Sequence, residues 1–276
     1  MTHVSSADGT PIAFQTAGSG PAVVVVNGAF STAHDAEAFA AELAGAGFTA
    51  VTWDRRARGS SGDARGSVPE REAEDLAAVL AAVAGDPTEG DSTASDPARR
   101  SAAVIGHSSG AVLALYAAAL GVPMAHLFLS EPPFRFGEND PPRDLPERIQ
   151  ALIDEGRPAD AVTTFQLEGI ELAPQMVEQI RSSPMFASLV GLAQSTVYDA
   201  TLTRDVSTPT AAMLGVSVPV AVLSGVETLP FLHAAAERLA GLMPGAEFVE
   251  VPESIGHRLD PVATTRIIAE RYPARR

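Results

Sequence analysis

Gly106-His107-Ser108-Ser109-Gly110 combines residue types and spacing that could do chemistry. A serine hydroxyl is a poor nucleophile at neutral pH unless it is exposed, held still and served by a base. The apolar run Ala102-Ala103-Val104-Ile105 precedes these five residues and Ala111 to Leu120 follows them, so the stretch reads as strand, tight turn, helix. In that setting the bend strains the serine backbone and raises its hydroxyl. The flanking glycines are required because a side chain there would meet the neighbouring strand or helix. The helix start behind Ser108 also offers backbone N–H groups and a positive dipole end to a developing oxyanion. The five letters recur by chance in structural turns; the strand before them and the helix after them make the pattern specific.

A nucleophilic serine needs a proton acceptor, and histidine suits because its unperturbed pKa lies near 6.5. The chain has six histidines. His3 lies near the terminus, His34 in a loop leading into a helix, His126 at a strand entrance and His233 on a helix that covers the sheet. His107 is the variable elbow position. His257 follows the last apolar strand, between Gly256 and the turn Arg258-Leu259-Asp260-Pro261. That placement lets it fold over the strand ends and reach Ser108.

These residues need a frame. Pro11–Thr16 alternates like an edge strand, and Ala22–Val26 is apolar throughout, as expected of a parallel strand covered on both faces. Ala36–Ala46 and Glu70–Ala84 have helical spacing, with the strand Phe48–Trp53 between them. Residues Gly85–Arg100 are polar, acidic and low in complexity, and read as a long surface loop. Further strands are expected at Ala125–Leu129, Val218–Leu223 and Ala246–Val251, with a helix over Leu232–Leu242. Alternating strands and helices imply an α/β fold with a doubly wound, mostly parallel sheet. Between about Phe134 and Ser217 the buried-strand signal stops and helix-like segments such as Leu145–Glu155, Pro158–Phe165 and Pro174–Arg181 replace it. The expected organisation is a core of residues 1–133 and 218–276 with a helical cap inserted over 134–217.

Composition narrows the function. A chain of 276 residues with net charge −15 lacks the basic face that nucleic acid or an anionic membrane would need. With no cysteine there is no thiolate nucleophile, disulfide framework or cysteine-held metal. No dinucleotide, Walker or zinc-protease motif occurs, so neither a cofactor nor a metal is expected. No signal peptide or membrane span is visible, which makes a cytoplasmic location the default expectation.

Together, elbow, sheet and insertion resemble the α/β-hydrolase superfamily over nearly the whole chain. Val26-Asn27-Gly28-Ala29 stands where that family has its oxyanion loop, with Asn27 in place of the usual histidine. Trp53-Asp54-Arg55-Arg56-Ala57-Arg58-Gly59-Ser60-Ser61 looks like the family's D-x-R-G-x-G-x-S loop, with Ala57 where glycine is usual. Its charged side chains are suited to tying adjacent loops together. The resemblance implies Ser108 as nucleophile, His257 as base, and the backbone N–H groups of Ala29 and Ser109 as oxyanion hole. The family order of serine, acid, histidine leaves two positions for the acid. One is Glu227, in the loop Ser224-Gly225-Val226-Glu227-Thr228. The other is Glu131, directly after Ser130, a strand-end position similar to that of some haloalkane dehalogenases. Glu131 is preferred because Pro132 and Pro133 restrict its backbone, and a triad acid must hold still.

The expected activity is cofactor-independent hydrolysis of a small, mostly apolar ester or lactone through an acyl-enzyme. The same groups could instead hydrolyse a carbon–carbon bond, or the chain could be a ligand-binding, receptor-like homologue with little turnover. Epoxide hydrolysis and dehalogenation by the family's usual route need aspartate where this chain has Ser108. Phe134, Phe136, Phe165, Met176, Met185, Phe186, Leu189 and Tyr198 are the apolar candidates for a pocket. The expected partner is a small-molecule substrate; whether a homo-oligomer forms stays open.

Overall fold

A computed structural model describes residues 1–84 and 101–273; the low-complexity stretch 85–100 lies outside the described residues. Eight strands form one sheet: β1 (Thr2–Ser5), β2 (Pro11–Gly18), β3 (Ala22–Val26), β4 (Thr49–Trp53), β5 (Ala103–His107), β6 (His126–Ser130), β7 (Val220–Glu227) and β8 (Glu247–Ile255). Their spatial order is β1-β2-β4-β3-β5-β6-β7-β8. The strands from β3 to β8 run parallel to one another, whereas β2 pairs antiparallel with β4 and β1 antiparallel with β2 at that edge.

Period-two alternation sends each parallel strand's apolar side chains into two separate cores. Val24, Val26 and Val104 pack with Leu76 and Val79 of α2 (Pro69–Val83), Leu113 of α3 (Ser109–Ala119) and Leu239 of α10 (Pro230–Leu242). Val23, Val25 and Ile105 point the other way, onto Phe39 and Leu43 of α1 (Glu37–Gly45) and Ile267 and Ile268 of α11 (Pro261–Arg271). Burial on both faces explains why β3 carries four valines without a polar break.

Pro11–Thr16 is not the edge strand. Thr2–Ser5 pairs with it, Val4 opposite Ile12, and forms the outer edge instead. Such a strand is joined mainly by its backbone hydrogen bonds; apart from Val4, which packs on the core, its side chains are exposed, so no apolar alternation marks it.

Between β6 and β7 the chain is helical: α4 (Leu145–Asp154), α5 (Pro158–Thr164), a π-turn at Phe165–Gly169, α6 (Pro174–Arg181), α7 (Phe186–Val190), α8 (Ala193–Asp205) and α9 (Ala211–Leu214). Leu145, Ile149, Phe165 and Tyr198 form a third apolar cluster, against which Ala29, Phe30 and Ala57 pack from the loops after β3 and β4. This helical segment therefore sits over the carboxyl ends of the strands. Among the described residues, no helix is long and apolar enough to cross a membrane.

Candidate active site

The turn from β5 into α3 holds Ser108 at φ 55° and ψ −126°. A non-glycine residue at positive φ is uncommon and costs backbone energy. The tightness of the turn requires it: a Cβ on Gly106 would run into Gly110 and Ala111, and one on Gly110 into the Val26 carbonyl. The Ser108 N–H is fixed by donation to the Ser130 carbonyl at 2.9 Å. Glu131 (φ 48°) and His257 (φ 59°) are strained in the same way, each just past the end of a strand. Three strained residues thus converge at the carboxyl edge of the sheet.

The structure brings Glu131 and His257 together. His257 Nδ1 lies 2.5 Å from Glu131 Oε2, and the Glu131 side chain is only 2% exposed. Glu131 Oε1 accepts from the Gly225 N–H at 2.8 Å, and Oε2 accepts from the Thr228 hydroxyl at 3.0 Å. Burial works to raise the pKa of this carboxyl, but the bonds from His257, Gly225 and Thr228 outweigh it and hold the group below its ordinary value. Glu227 is not brought to the imidazole. Its residue is exposed, and the contact it makes with the histidine loop is through its carbonyl, which accepts from the Gly256 N–H at 2.9 Å. The loop weighed as the alternative source of the acid supplies donors to Glu131 instead, through Gly225 and Thr228.

Ser108, His257, Ala29 and Ser109 all line one cavity of about 270 Å³. Gly28 is pressed against the elbow so closely that a Cβ there would lie 2.9 Å from Ser108 Cβ. Ser109 opens α3, where backbone N–H groups have no intrahelical partner. His107, the elbow residue before Ser108, places its ring 4.7 Å from that of His257 and its Nδ1 3.1 Å from Ser130 Oγ. Burial, reinforced by nearby His257, pulls the His107 pKa down to about 4. The ring is neutral at neutral pH and adds no charge beside His257.

Beneath the cavity lies a charged cluster. Arg55 makes a two-pronged contact with Glu72 at 2.8 and 2.9 Å and reaches Asp199 at 2.9 Å. Arg58 binds the other Asp199 oxygen at 2.7 Å, and Ser109 Oγ donates to Asp199 at 2.8 Å. All four charged side chains are buried, and their charges balance. Burial alone would raise the Asp199 pKa, yet Arg58 and Arg55 keep it below the usual carboxylate value. The loop after β4 is indeed a tie between loops, as its charges suggest. Asp54 accepts from the Ala33 and Ser60 N–H groups at 2.7 and 2.8 Å. Ala57, the departure from glycine, adopts φ 59°, the left-handed conformation that glycine takes without strain.

Of the apolar pocket candidates, Phe165 lines this cavity. Phe134 is buried in the core beside the sheet, Met176 and Met185 are exposed, and Tyr198 turns away to donate to Asp63. Phe30, Ile170, Leu172, Leu229 and Phe231 form the apolar wall, joined by Arg135 and Asp199. Asp199 was missed because its partners lie 141 and 144 residues away in the chain. The wall residue Arg135 does follow Glu131-Pro132-Pro133-Phe134 closely, which is a local signal.

The fold and the elbow at Ser108 define a hydrolase class, and the comparisons agree. The sequence model of the alpha/beta hydrolase family matches residues 23–262, and the chain belongs to that family. An alpha/beta hydrolase from Sphaerobacter thermophilus is 38% identical, with a TM-score of 0.84 over 98% of this chain and 99% of that one. A thermophilic esterase from Thermogutta terrifontis is 21% identical, with a TM-score of 0.70 over 98% and 97% of the two chains. An enol-lactonase from Burkholderia xenovorans LB400 is 20% identical, with a TM-score of 0.64 over 98% of each. These last two likenesses show the shared fold. No curated protein matches the chain.

Proposed function

We propose that the protein is a cofactor-independent serine hydrolase cleaving a small, mostly apolar ester or lactone through an acyl-enzyme on Ser108. The observation that carries this reading is the Glu131–His257 contact of 2.5 Å, with His257 and Ser108 lining one cavity. Ser108 Oγ attacks the carbonyl carbon while His257 takes its proton. Glu131 holds the imidazole by Nδ1, leaving Nε2 for the serine, and stabilises the imidazolium that forms. The N–H groups of Ala29 and Ser109 receive the oxyanion. The imidazolium proton then passes to the leaving alkoxide. Water, activated by His257, releases the acid and restores Ser108.

The cavity supports a small substrate. At about 270 Å³ it falls near the lower end of ordinary ligand sites, which span roughly 300–1,000 Å³. In this reading residues 134–217 act as the cap that roofs Ser108, and residues 1–133 and 218–276 as the core. A fluorophosphonate probe tests the reading, with labelling compared between the parent and Ser108→Ala. Labelling that vanishes in Ser108→Ala, with turnover of short-chain esters or lactones, is expected. A folded parent that neither labels nor hydrolyses any of them would point to the ligand-binding role instead.

A further inference from the structure

Arg135 has no part in the chemistry above, yet it lines the same cavity as Ser108 and His257. It sits four residues after Glu131, behind Pro132 and Pro133, and its N–H donates to the Ser207 carbonyl at 2.8 Å. Its side chain is 8% exposed. The guanidinium carbon lies 4.5 Å from the centre of the Phe231 ring, which supports the plane of the cation. Pro133, Leu229 and Leu232 make the neighbouring wall apolar.

Arg135 has donor capacity that the protein does not use, and its ion pair with Glu171 faces solvent. Arg135 Nε is buried and has no hydrogen-bond partner among the described residues. The ion-pair partner of Nη1, Glu171 at 3.0 Å, is 47% exposed and so is largely solvated by water. Asp199, the carboxylate on the cavity wall, makes its contacts with Arg55, Arg58 and Ser109 instead. A guanidinium presents its N–H groups as a planar fork that fits a two-oxygen anion. A buried donor left without an acceptor is costly, and a ligand oxygen that meets it removes the cost.

The geometry points to Arg135 as a specificity-determining residue for an anionic substrate: a short ester that carries a carboxylate away from the scissile bond. That carboxylate lies on the Arg135 fork while the ester carbonyl faces Ser108. Glu171 keeps its place at Nη1 on the solvent side. The apolar wall accommodates the short chain between the two ends. This inference rests on the serine-hydrolase reading and adds the substrate class to it.

The test compares monomethyl esters of short dicarboxylic acids with methyl esters of monocarboxylic acids of equal chain length. The readout is the ratio of kcat/KM for the two series, so a general loss of activity does not count. The parent is expected to favour the charged series. Arg135→Gln should lower the ratio by roughly 10- to 100-fold, mainly through KM, and Arg135→Lys should retain part of it. A parent that labels at Ser108 but prefers the neutral esters, or whose ratio survives Arg135→Gln, overturns the proposal and leaves the hydrolase reading intact. If the parent neither labels nor turns over either series, that reading has failed. Calorimetric binding of monomethyl glutarate then decides the matter for Arg135, supporting it if Arg135→Gln abolishes binding and overturning it if binding is absent or unchanged.

Discussion

Arg58 Nη1 donates to the Gly28 carbonyl at 2.5 Å and to the Ser31 carbonyl at 3.1 Å. The Gly28 carbonyl and the Ala29 N–H are opposite ends of one planar trans peptide, so a donor clamped on the first fixes the direction of the second. The cation that steadies this peptide is itself held by Asp199 at 2.7 Å. An aspartate on α8 thereby orients a backbone group beside Ser108.

Arg58→Met should therefore lower kcat more than it raises KM. The loss should approach the roughly hundredfold cost of removing an oxyanion donor outright. Breaking a buried ion pair typically costs about 3–5 kcal/mol, so the assay belongs at a temperature where circular dichroism shows the variant folded. An unchanged kcat in a folded variant would mean that the peptide is held by other contacts.

Gly28→Ala tests the close approach of this loop to the elbow. The added methyl would stand 2.9 Å from Ser108 Cβ and 3.1 Å from the His107 carbonyl, so one of the two backbones must shift. Misplacing reacting atoms by about 1 Å can cost on the order of a hundredfold. The expected outcome is a fall in kcat of that order, with fluorophosphonate labelling slowed in parallel. Labelling at the parent rate would show that the elbow absorbs the methyl without moving Ser108.

Glu131→Gln and Glu227→Gln separate the two candidate acids. Glu131→Gln keeps the size of the side chain but cannot stabilise an imidazolium, and a drop in kcat on the order of 10⁴ is expected. Glu227→Gln alters an exposed side chain and should change kcat little. Loss of activity in the Glu227 variant alone would reverse the assignment.

Stability should fall on the acid side, with His107 responsible for a definable part. Its pKa drops from 6.5 to about 4 in the folded protein. Between those values the unfolded chain binds a proton that the folded chain does not, so stability declines as pH falls through this window. Glu131 acts lower down: its pKa is depressed, so its contribution is present above the ordinary 4.5 and is lost as pH falls through the folded value. Urea unfolding of His107→Asn should show a flatter pH dependence between about 6.5 and 4 than the parent. Equal slopes in the two proteins would contradict a His107 that stays neutral through this window.

Much of this was legible in sequence because parallel strands covered on both faces leave uninterrupted apolar runs, as in Ala22–Val26. The elbow was legible because its glycines answer a local steric demand. Helix α8 was not. Its sequence, AQSTVYDATLTRD, buries Ser195, Thr196, Asp199 and Thr201 alongside its apolar residues, so no apolar stripe separates one face from another. Thr196 and Thr201 satisfy their hydroxyls on carbonyls of their own helix, and Asp199 on arginines from a distant loop. Two prolines mark Glu131 in the sequence, whereas Gly225 and Thr228 come within reach of it only because β6 and β7 pair.

The seat of Asp199 also anchors α8 to the loop after β4. Lifting α8 would rupture contacts to both Arg55 and Arg58; Arg55 would keep Glu72, but Arg58 would lose its carboxylate in the interior and its hold on the peptide beside Ser108 would loosen. This helix is thus tied to the loop after β4 by charge as well as by packing. By contrast, α6 and α7 carry little anchoring: one buried residue in the first, none in the second.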